Sequence, residues 1–136
     1  MKIMKLVVAV ARTKYTNLVS SKRIGINRMT IPDNVEWEEI HIKIPAQLTI
    51  THKTEEKSDI YIAQLRFLTC TDMNTQGHYA WRVCLNGGQY LLLGTGNRPF
   101  ATMEITETYP ADVKDNQLNE VLINYSHPQP IPYIEV

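Results

Sequence analysis

Residues 79–100 read YAWRVCLNGGQYLLLGTGNRPF, two apolar runs joined by a turn that contains two glycines. Asn-Gly and Gly-Gly supply the positive φ angles that a tight hairpin turn demands, so these residues are the strongest short-range β-hairpin signal in the chain. The remaining segments are therefore interpreted as strands and loops arranged around this hairpin.

The length of the hairpin loop decides which leucine lies on the face of Trp81. A two-residue loop within residues 86–88 would put Leu92 on that face. A three-residue loop would put Leu91 and Leu93 there instead, because a slip of one residue exchanges the two faces of a strand. The sequence leaves both arrangements open.

The second hairpin strand is apolar on both faces, because Leu91, Leu92 and Leu93 are consecutive. Such a run is typical of a strand that is covered from two sides. The cover could come from a sandwich, from a barrel or from another subunit.

Strand-like patterns recur along most of the chain, and only residues 35–39 suggest a single helical turn. The alternation around Pro45 indicates a bend, an edge or a connection between two strands, and the charged residues 51–58 suggest a hairpin loop. The sequence predicts an all-β fold, an antiparallel β-sandwich or barrel of seven to eight short strands with at most one short helix. The predicted strands cover residues 3–11, 40–44, 48–50, 59–70, the two hairpin arms, 100–108 and 118–127.

The chain has 136 residues, which suits a single domain. Residues 1–126 are assigned to one β-rich domain. Residues 127–136 contain three closely spaced prolines, so they are expected to form an extended C-terminal tail.

The charges are unevenly distributed along the chain, although the formal net charge is zero. Seven of the fourteen lysines and arginines precede the first acidic residue, Asp33, and the other seven share the remainder with all fourteen acids. A basic first segment could bind a polyanion or dock on the acidic surface of a neighbouring copy. Folding could also interleave the two segments and leave ordinary solvated charges.

The first residues, MKIMKLVVAVAR, resemble a signal peptide, but their uninterrupted apolar run, residues 6–11, is too short for one. No apolar run is long enough to span a bilayer. We therefore expect no signal peptide, no transmembrane segment, no membrane partner, and a cytoplasmic or virion location.

No set of residues matches a catalytic or metal-binding pattern. Gly94-Thr95-Gly96 lacks the third glycine and the helix that a phosphate loop needs. The four histidines and two cysteines lack metal-site spacing, and Glu104 and Glu107 fall on opposite faces of a strand. We therefore expect a protein that is not an enzyme and has no cofactor or metal, with Cys70 and Cys84 unlinked.

The hairpin followed by LLLGTGNRPF resembles small uncharacterised β-rich proteins encoded in prophage regions of gut bacteria. The resemblance spans residues 79–100 and includes no catalytic motif. It implies a virion component, from a tail or a head-tail connector, and it transfers no functional residues.

The sequence therefore predicts a non-enzymatic assembly subunit that forms a homo-oligomer or joins other assembly subunits through its terminal segments. The alternative is a module that binds nucleic acid through the basic segment or a small ligand at the loop of residues 94–99. The residues expected to contact a partner are Arg12, Lys14, Lys22, Arg23, Arg98, Pro130 and Tyr133.

Overall fold

The protein is almost entirely β-structure in the part of the chain that the computed structural model describes, residues 7–32, 35–56, 58–69, 77–96, 100–107 and 119–134. The helical content of these residues is one four-residue 3-10 turn, Tyr15–Leu18. The all-β prediction is confirmed. No helix in these ranges has the length and apolar character needed to cross a membrane.

Eleven strands form one continuous open sheet in the described chain, more than predicted because several strands have only two or three residues. The pairing order is β2-β3-β11-β8-β7-β1-β5-β6-β10-β9, with β4 also paired to β1, and every pair is antiparallel except β11 with β3. The strands are β1 (Val7–Lys14), β2 (Lys22–Arg23), β3 (Arg28–Thr30), β4 (Glu38–Ile40), β5 (Ile42–Glu55), β6 (Ser58–Thr69), β7 (Tyr79–Leu85), β8 (Tyr90–Leu93), β9 (Thr102–Glu107), β10 (Asn119–His127) and β11 (Tyr133–Ile134).

The sheet forms a sandwich rather than a barrel, because its two halves pack face to face while its terminal strands, β2 and β9, do not pair with each other. Strand β5 joins the halves: Ala46 pairs with Val7 of β1, and most of β5 pairs with β6. The rings of Phe67 on β6 and Trp81 on β7 lie 6.2 Å apart across the interior. Apolar side chains from both halves form one main core around this contact.

The central hairpin has the three-residue loop. Trp81 pairs with Leu93 and Val83 with Leu91, so Leu91 and Leu93 lie on the Trp81 face. The backbone N–H of Gly88 donates to the Leu85 carbonyl at 3.0 Å, and Gly88 has φ +84°. This is the geometry of a turn closed by a left-handed glycine, which needs no side chain and adds one residue to the loop.

The three-residue loop directs Leu92 to the opposite face, where a second, smaller core covers it. That core contains Leu18, Met29 and Ala80, which come from three separate segments. Leu91 is 4% exposed, and Leu92 and Leu93 are fully buried. The chain itself therefore covers the leucine run on both sides, and no neighbouring subunit is needed to do so.

Two local predictions were wrong. The helical turn over residues 35–39 is absent: Glu38–Ile40 is a strand whose residues pair with β1, so pairing with a central strand overrides the local preference. The loop over residues 51–58 is also shorter, because β5 continues to Glu55 and β6 begins at Ser58. Pro45 does not divide the strand, although the register shifts between Lys43 and Gln47.

Several predictions lie outside the described residues: the strand ends at residues 3–6, 108 and 118, the loop over 109–117, and Cys70. Cys84 is a free thiol. The predicted strand over residues 59–70 is observed as Ser58–Thr69.

The C-terminal segment is part of the sheet as far as residue 134. Ile131 is buried in the main core, and Tyr133–Ile134 forms β11 between β3 and β8. The backbone N–H of Tyr133 donates to the Asn27 carbonyl at 2.7 Å, and the Pro132 carbonyl accepts a hydrogen bond from Leu92 at 3.0 Å. The predicted extended tail is therefore packed into its own sheet as far as residue 134, and its contact with a partner stays a prediction.

Candidate functional site

An open groove of about 460 Å³ lies where three distant segments of the chain meet. The basic first segment contributes Asn27 and Arg28, and the C-terminal segment contributes Tyr133 and Ile134. The hairpin turn contributes the third side, residues 88–90.

Strand pairing brings these segments together. Tyr133 lies opposite Arg28 on one side and opposite Leu91 on the other, so β11 forms the floor between the two walls. The polar residues that line the groove belong to strand ends and to a turn, where backbone curvature leaves side chains accessible. The groove therefore depends on the docking of the C-terminal segment.

Beside the groove, Arg82 lies between two aromatic rings and forms an ion pair. The Arg82 guanidinium lies 4.9 Å from the centre of the Tyr90 ring and 5.0 Å from that of Trp37. The same guanidinium donates to a Glu39 carboxylate oxygen at 2.6 Å. Tyr90 pairs with Cys84, so its ring lies on the Leu92 face of the hairpin, packed against Arg82.

Arg28 supplies positive charge at the opposite wall. Its side chain is exposed, and none of the ion pairs among the described residues involves it. Lys22 and Arg23, on the adjoining strand β2, extend the basic character of this corner. An anionic group would therefore meet a favourable potential here.

Arg12 is not a surface contact, contrary to the prediction. Its side chain is 2% exposed, and its Nε donates to Glu38 at 2.8 Å. Its guanidinium also lies 4.1 Å from the centre of the Tyr79 ring and 5.8 Å from that of Trp81. A carboxylate from later in the chain thus neutralises one charge of the basic first segment. This is the interleaving of the basic and acidic segments that the sequence left open.

The other predicted contact residues are only partly brought together. Lys22 and Arg23 lie in β2, two strands away from Tyr133 in β11, while Lys14 is exposed at the end of β1 and Pro130 is half-buried. Arg98 lies outside the described residues. From the sequence, Arg28 was counted only as a basic residue, and Gln89 and Tyr90, which line the same groove, were not identified. The glycine-containing turn just before Tyr90 was the available signal.

Arg23 also lies near two titratable side chains on β10. Burial raises the pKa of Tyr125 to about 12, and the Arg23 charge opposes that rise. Burial lowers the pKa of His127, and the Arg23 charge lowers it further. Burial likewise lowers the pKa of Arg23 itself, which Tyr125 opposes.

The other terminal strand of the pairing order is acidic. Strand β9 is the last in the pairing order, and its Glu104 and Glu107 side chains are exposed. The open sheet therefore has lysine and arginine on one terminal strand and glutamates on the other.

The described residues do not form a metal site: no group of three or more histidine, cysteine, aspartate or glutamate side chains within those ranges could hold an ion. In the loop proposed for a small ligand, a side chain at Gly96 would meet the Val19 backbone at 2.5 Å, so this glycine is required for close packing. Residues 97–99 of that loop lie outside the described chain. A smaller hollow of about 210 Å³ is lined partly by His78, Trp81 and Met103.

The chain matches no family model, no curated protein and no solved structure. The resemblance to prophage-encoded proteins stays a prediction.

Proposed function

We propose that the protein is a non-enzymatic assembly subunit whose copies join head to tail through the two terminal strands of the open sheet. The observation that carries this proposal is the opposite charge of those strands: Lys22 and Arg23 on β2, and Glu104 and Glu107 on β9. The charges on these two strands are independent of the leucine run, residues 91–93, which the chain covers by itself.

Backbone chemistry makes a terminal strand a site for pairing. Each strand at the end of a sheet uses one side for its ladder, and the N–H and C=O groups on the other side can pair with a strand from another chain. Charged side chains normally discourage this pairing. Here two β2 strands would repel each other, as would two β9 strands, whereas β2 against β9 brings opposite charges together.

A contact between different surfaces of identical subunits is heterologous, so it generates a ring or a filament rather than a closed two-fold dimer. Repeating assemblies of this kind suit the virion setting that the resemblance implies, in a tail or a head-tail connector. We propose that setting as well, on the strength of the resemblance alone.

Light scattering coupled to size-exclusion chromatography tests the proposal through charge reversal. Variant one carries Lys22→Glu and Arg23→Glu, and variant two carries Glu104→Lys and Glu107→Lys. Each variant has two edges of the same charge, so each is expected to remain monomeric at concentrations where the unmodified chain assembles. Mixing the two is expected to restore assembly, because the complementary edges are then on different molecules.

The matched control is Lys53→Glu, which reverses an exposed charge on β5 away from both terminal strands. It should assemble like the unmodified chain. Lys22→Glu alone is a milder version of variant one that leaves the half-buried Arg23 in place. A monomer at every concentration for the unmodified chain, or failure of the mixture to assemble while both variants stay folded, would contradict the proposal.

Nucleic-acid binding is the second candidate, and the exposed Lys14, Lys22 and Arg28 side chains favour it. The burial of Arg12 against Glu38 weakens it. A single-stranded oligonucleotide should then bind with an affinity that falls steeply as salt rises, since released counterions drive such binding. Absence of a salt-dependent signal would remove this candidate and leave the assembly proposal unaffected.

A further inference from the structure

We propose that the turn between β2 and β3, residues 24–27, docks on the surface of an anionic lipid bilayer and inserts its two isoleucine side chains below the headgroups. The expectation of no membrane partner rests on the lack of an apolar run long enough to span a bilayer, whereas contact with a bilayer surface needs no such run. The proposal goes beyond the assembly function, and it depends on the side chains of a turn rather than on the pairing of strand edges.

The turn exposes apolar side chains at positions where polar ones are usual. Its sequence is Ile24-Gly25-Ile26-Asn27. Ile26 is 77% exposed, more than any other large apolar residue in the described ranges, and Ile24 is 43% exposed. Turns are normally built from glycine, proline, asparagine, aspartate and serine. Two isoleucines exposed on one short turn therefore indicate a surface that contacts an apolar partner.

Backbone hydrogen bonds hold the turn in one conformation. The backbone N–H of Ile24 donates to the Arg28 carbonyl at 2.9 Å, and the Asn27 carbonyl accepts a bond from β11 at 2.7 Å. The Ile26 carbonyl accepts a hydrogen bond from the Arg23 guanidinium at 2.7 Å. Polar groups that already have partners cost less to move out of water, so these bonds lower the cost of placing the turn in a headgroup layer.

Positive charge flanks the turn on both sides. Lys22 and Arg23 precede it, Arg28 follows it, and the first acidic residue of the chain is Asp33. The hydrogen bond to the Ile26 carbonyl fixes the Arg23 charge at the turn itself. None of the ion pairs within the described ranges involves these three cations. Because lysine and arginine near a bilayer are attracted by acidic headgroups, this arrangement favours anionic lipids over neutral ones.

The combination of apolar and cationic groups distinguishes a bilayer from other partners. A nucleic-acid backbone would attract the cations, but isoleucine lacks the aromatic face on which bases stack. An apolar pocket in another protein would accept the isoleucines, but it would not account for the cations on both sides of the turn. An anionic bilayer meets both requirements, because its acidic headgroups lie directly above its acyl chains.

Flotation of the full chain with lipid vesicles tests the proposal. Vesicles of phosphatidylcholine mixed with phosphatidylserine should bind the protein, and vesicles of phosphatidylcholine alone should bind it more than about tenfold more weakly. Ile26→Ser should weaken binding to the mixed vesicles about tenfold, because it removes inserted apolar surface and leaves every charge in place. Lys22→Gln should weaken it about fivefold.

Each variant has a matched control on the other half of the sandwich. Leu68→Ser removes a leucine that is 37% exposed on β6, and Lys53→Gln removes an exposed lysine on β5; both should bind the mixed vesicles normally. Fluorescence measures insertion directly: bromine atoms on the acyl chains should quench the tryptophan added in Ile26→Trp and not the one added in Leu68→Trp.

Three outcomes would overturn the proposal: no binding to the mixed vesicles, equal binding to both kinds of vesicle, or equal losses from Ile26→Ser and Leu68→Ser. Salt-sensitive binding that Ile26→Ser does not weaken would also overturn it, because the contact would then be electrostatic only. Ile26→Ser keeps Lys22 and Arg23, so its light-scattering profile should match that of the unmodified chain. Failure here is therefore distinguishable from failure of the assembly proposal.

Discussion

Replacing Leu92 with alanine should destabilise the protein by about 3 to 4 kcal/mol without changing its assembly state. Leu92 is fully buried in the smaller core, against Leu18, Met29 and Ala80. The change removes three carbon atoms, worth about 2.4 kcal/mol at roughly 0.8 kcal/mol each. If about half of the ~80 Å³ left behind stays empty, the cavity adds about 1 kcal/mol at ~24 cal/mol per Å³.

Urea unfolding followed by tryptophan fluorescence measures this loss. With a slope of about 2 kcal/mol per molar urea, the midpoint should fall by roughly 1.7 M. The control is Ile50→Ala, which truncates a strand residue that is 44% exposed and should cost less than about 1 kcal/mol.

We expect the same fall in the urea midpoint in dilute and in concentrated protein, because the residues that cover Leu92 belong to the same chain. A loss below about 1 kcal/mol would show that Leu92 is not packed as described. A midpoint that depends on protein concentration in the unmodified chain but not in the variant would show that a neighbouring copy covers this face.

Three further predictions concern the turns and the pH dependence of stability. Gly88→Ala should cost about 1 to 2 kcal/mol in urea unfolding, because Gly88 has φ +84°, whereas Gly87→Ala, at an open position without positive φ, should be nearly neutral. Gly96→Ala should cost more than Gly88→Ala and lower the melting temperature further, because its new carbon would meet backbone at 2.5 Å; equal losses would contradict the close packing. Stability should fall as pH drops from 6.5 through the folded pKa of His127, because burial and the Arg23 charge lower that pKa and the unfolded chain then binds more protons. His127→Gln should reduce this slope, and an unchanged slope in calorimetric scans would assign it to other groups.

Much of the fold was predictable because the local signals agreed with the final structure. The strand over residues 59–70 alternates apolar and polar side chains, and Ala63, Leu65 and Phe67 do face the main core. The central hairpin was equally clear, since its glycine-containing turn lies between two apolar runs. Residues 35–39 were misassigned because their acidic composition suits a helix start, whereas β1 offered Glu38–Ile40 a strand partner.

The candidate site was predictable only in part. Tyr133 was identified, but as a contact on an extended tail rather than as the floor of a groove. Arg12 was grouped with exposed cations because its later partner, Glu38, is 26 residues away. No local pattern joins residues 27–28 to the hairpin turn, so the groove appears only when β11 docks between them.

The sequence by itself determined that this chain is a β-protein organised around a hairpin, because side-chain alternation and turn chemistry act over a few neighbouring residues. Tertiary structure alone decided the loop register, the cover over Leu92, the burial of Arg12 and the convergence of the groove. Each of these depends on which distant segments meet, and the free energy of burying their apolar surfaces, rather than any local preference, selects those contacts.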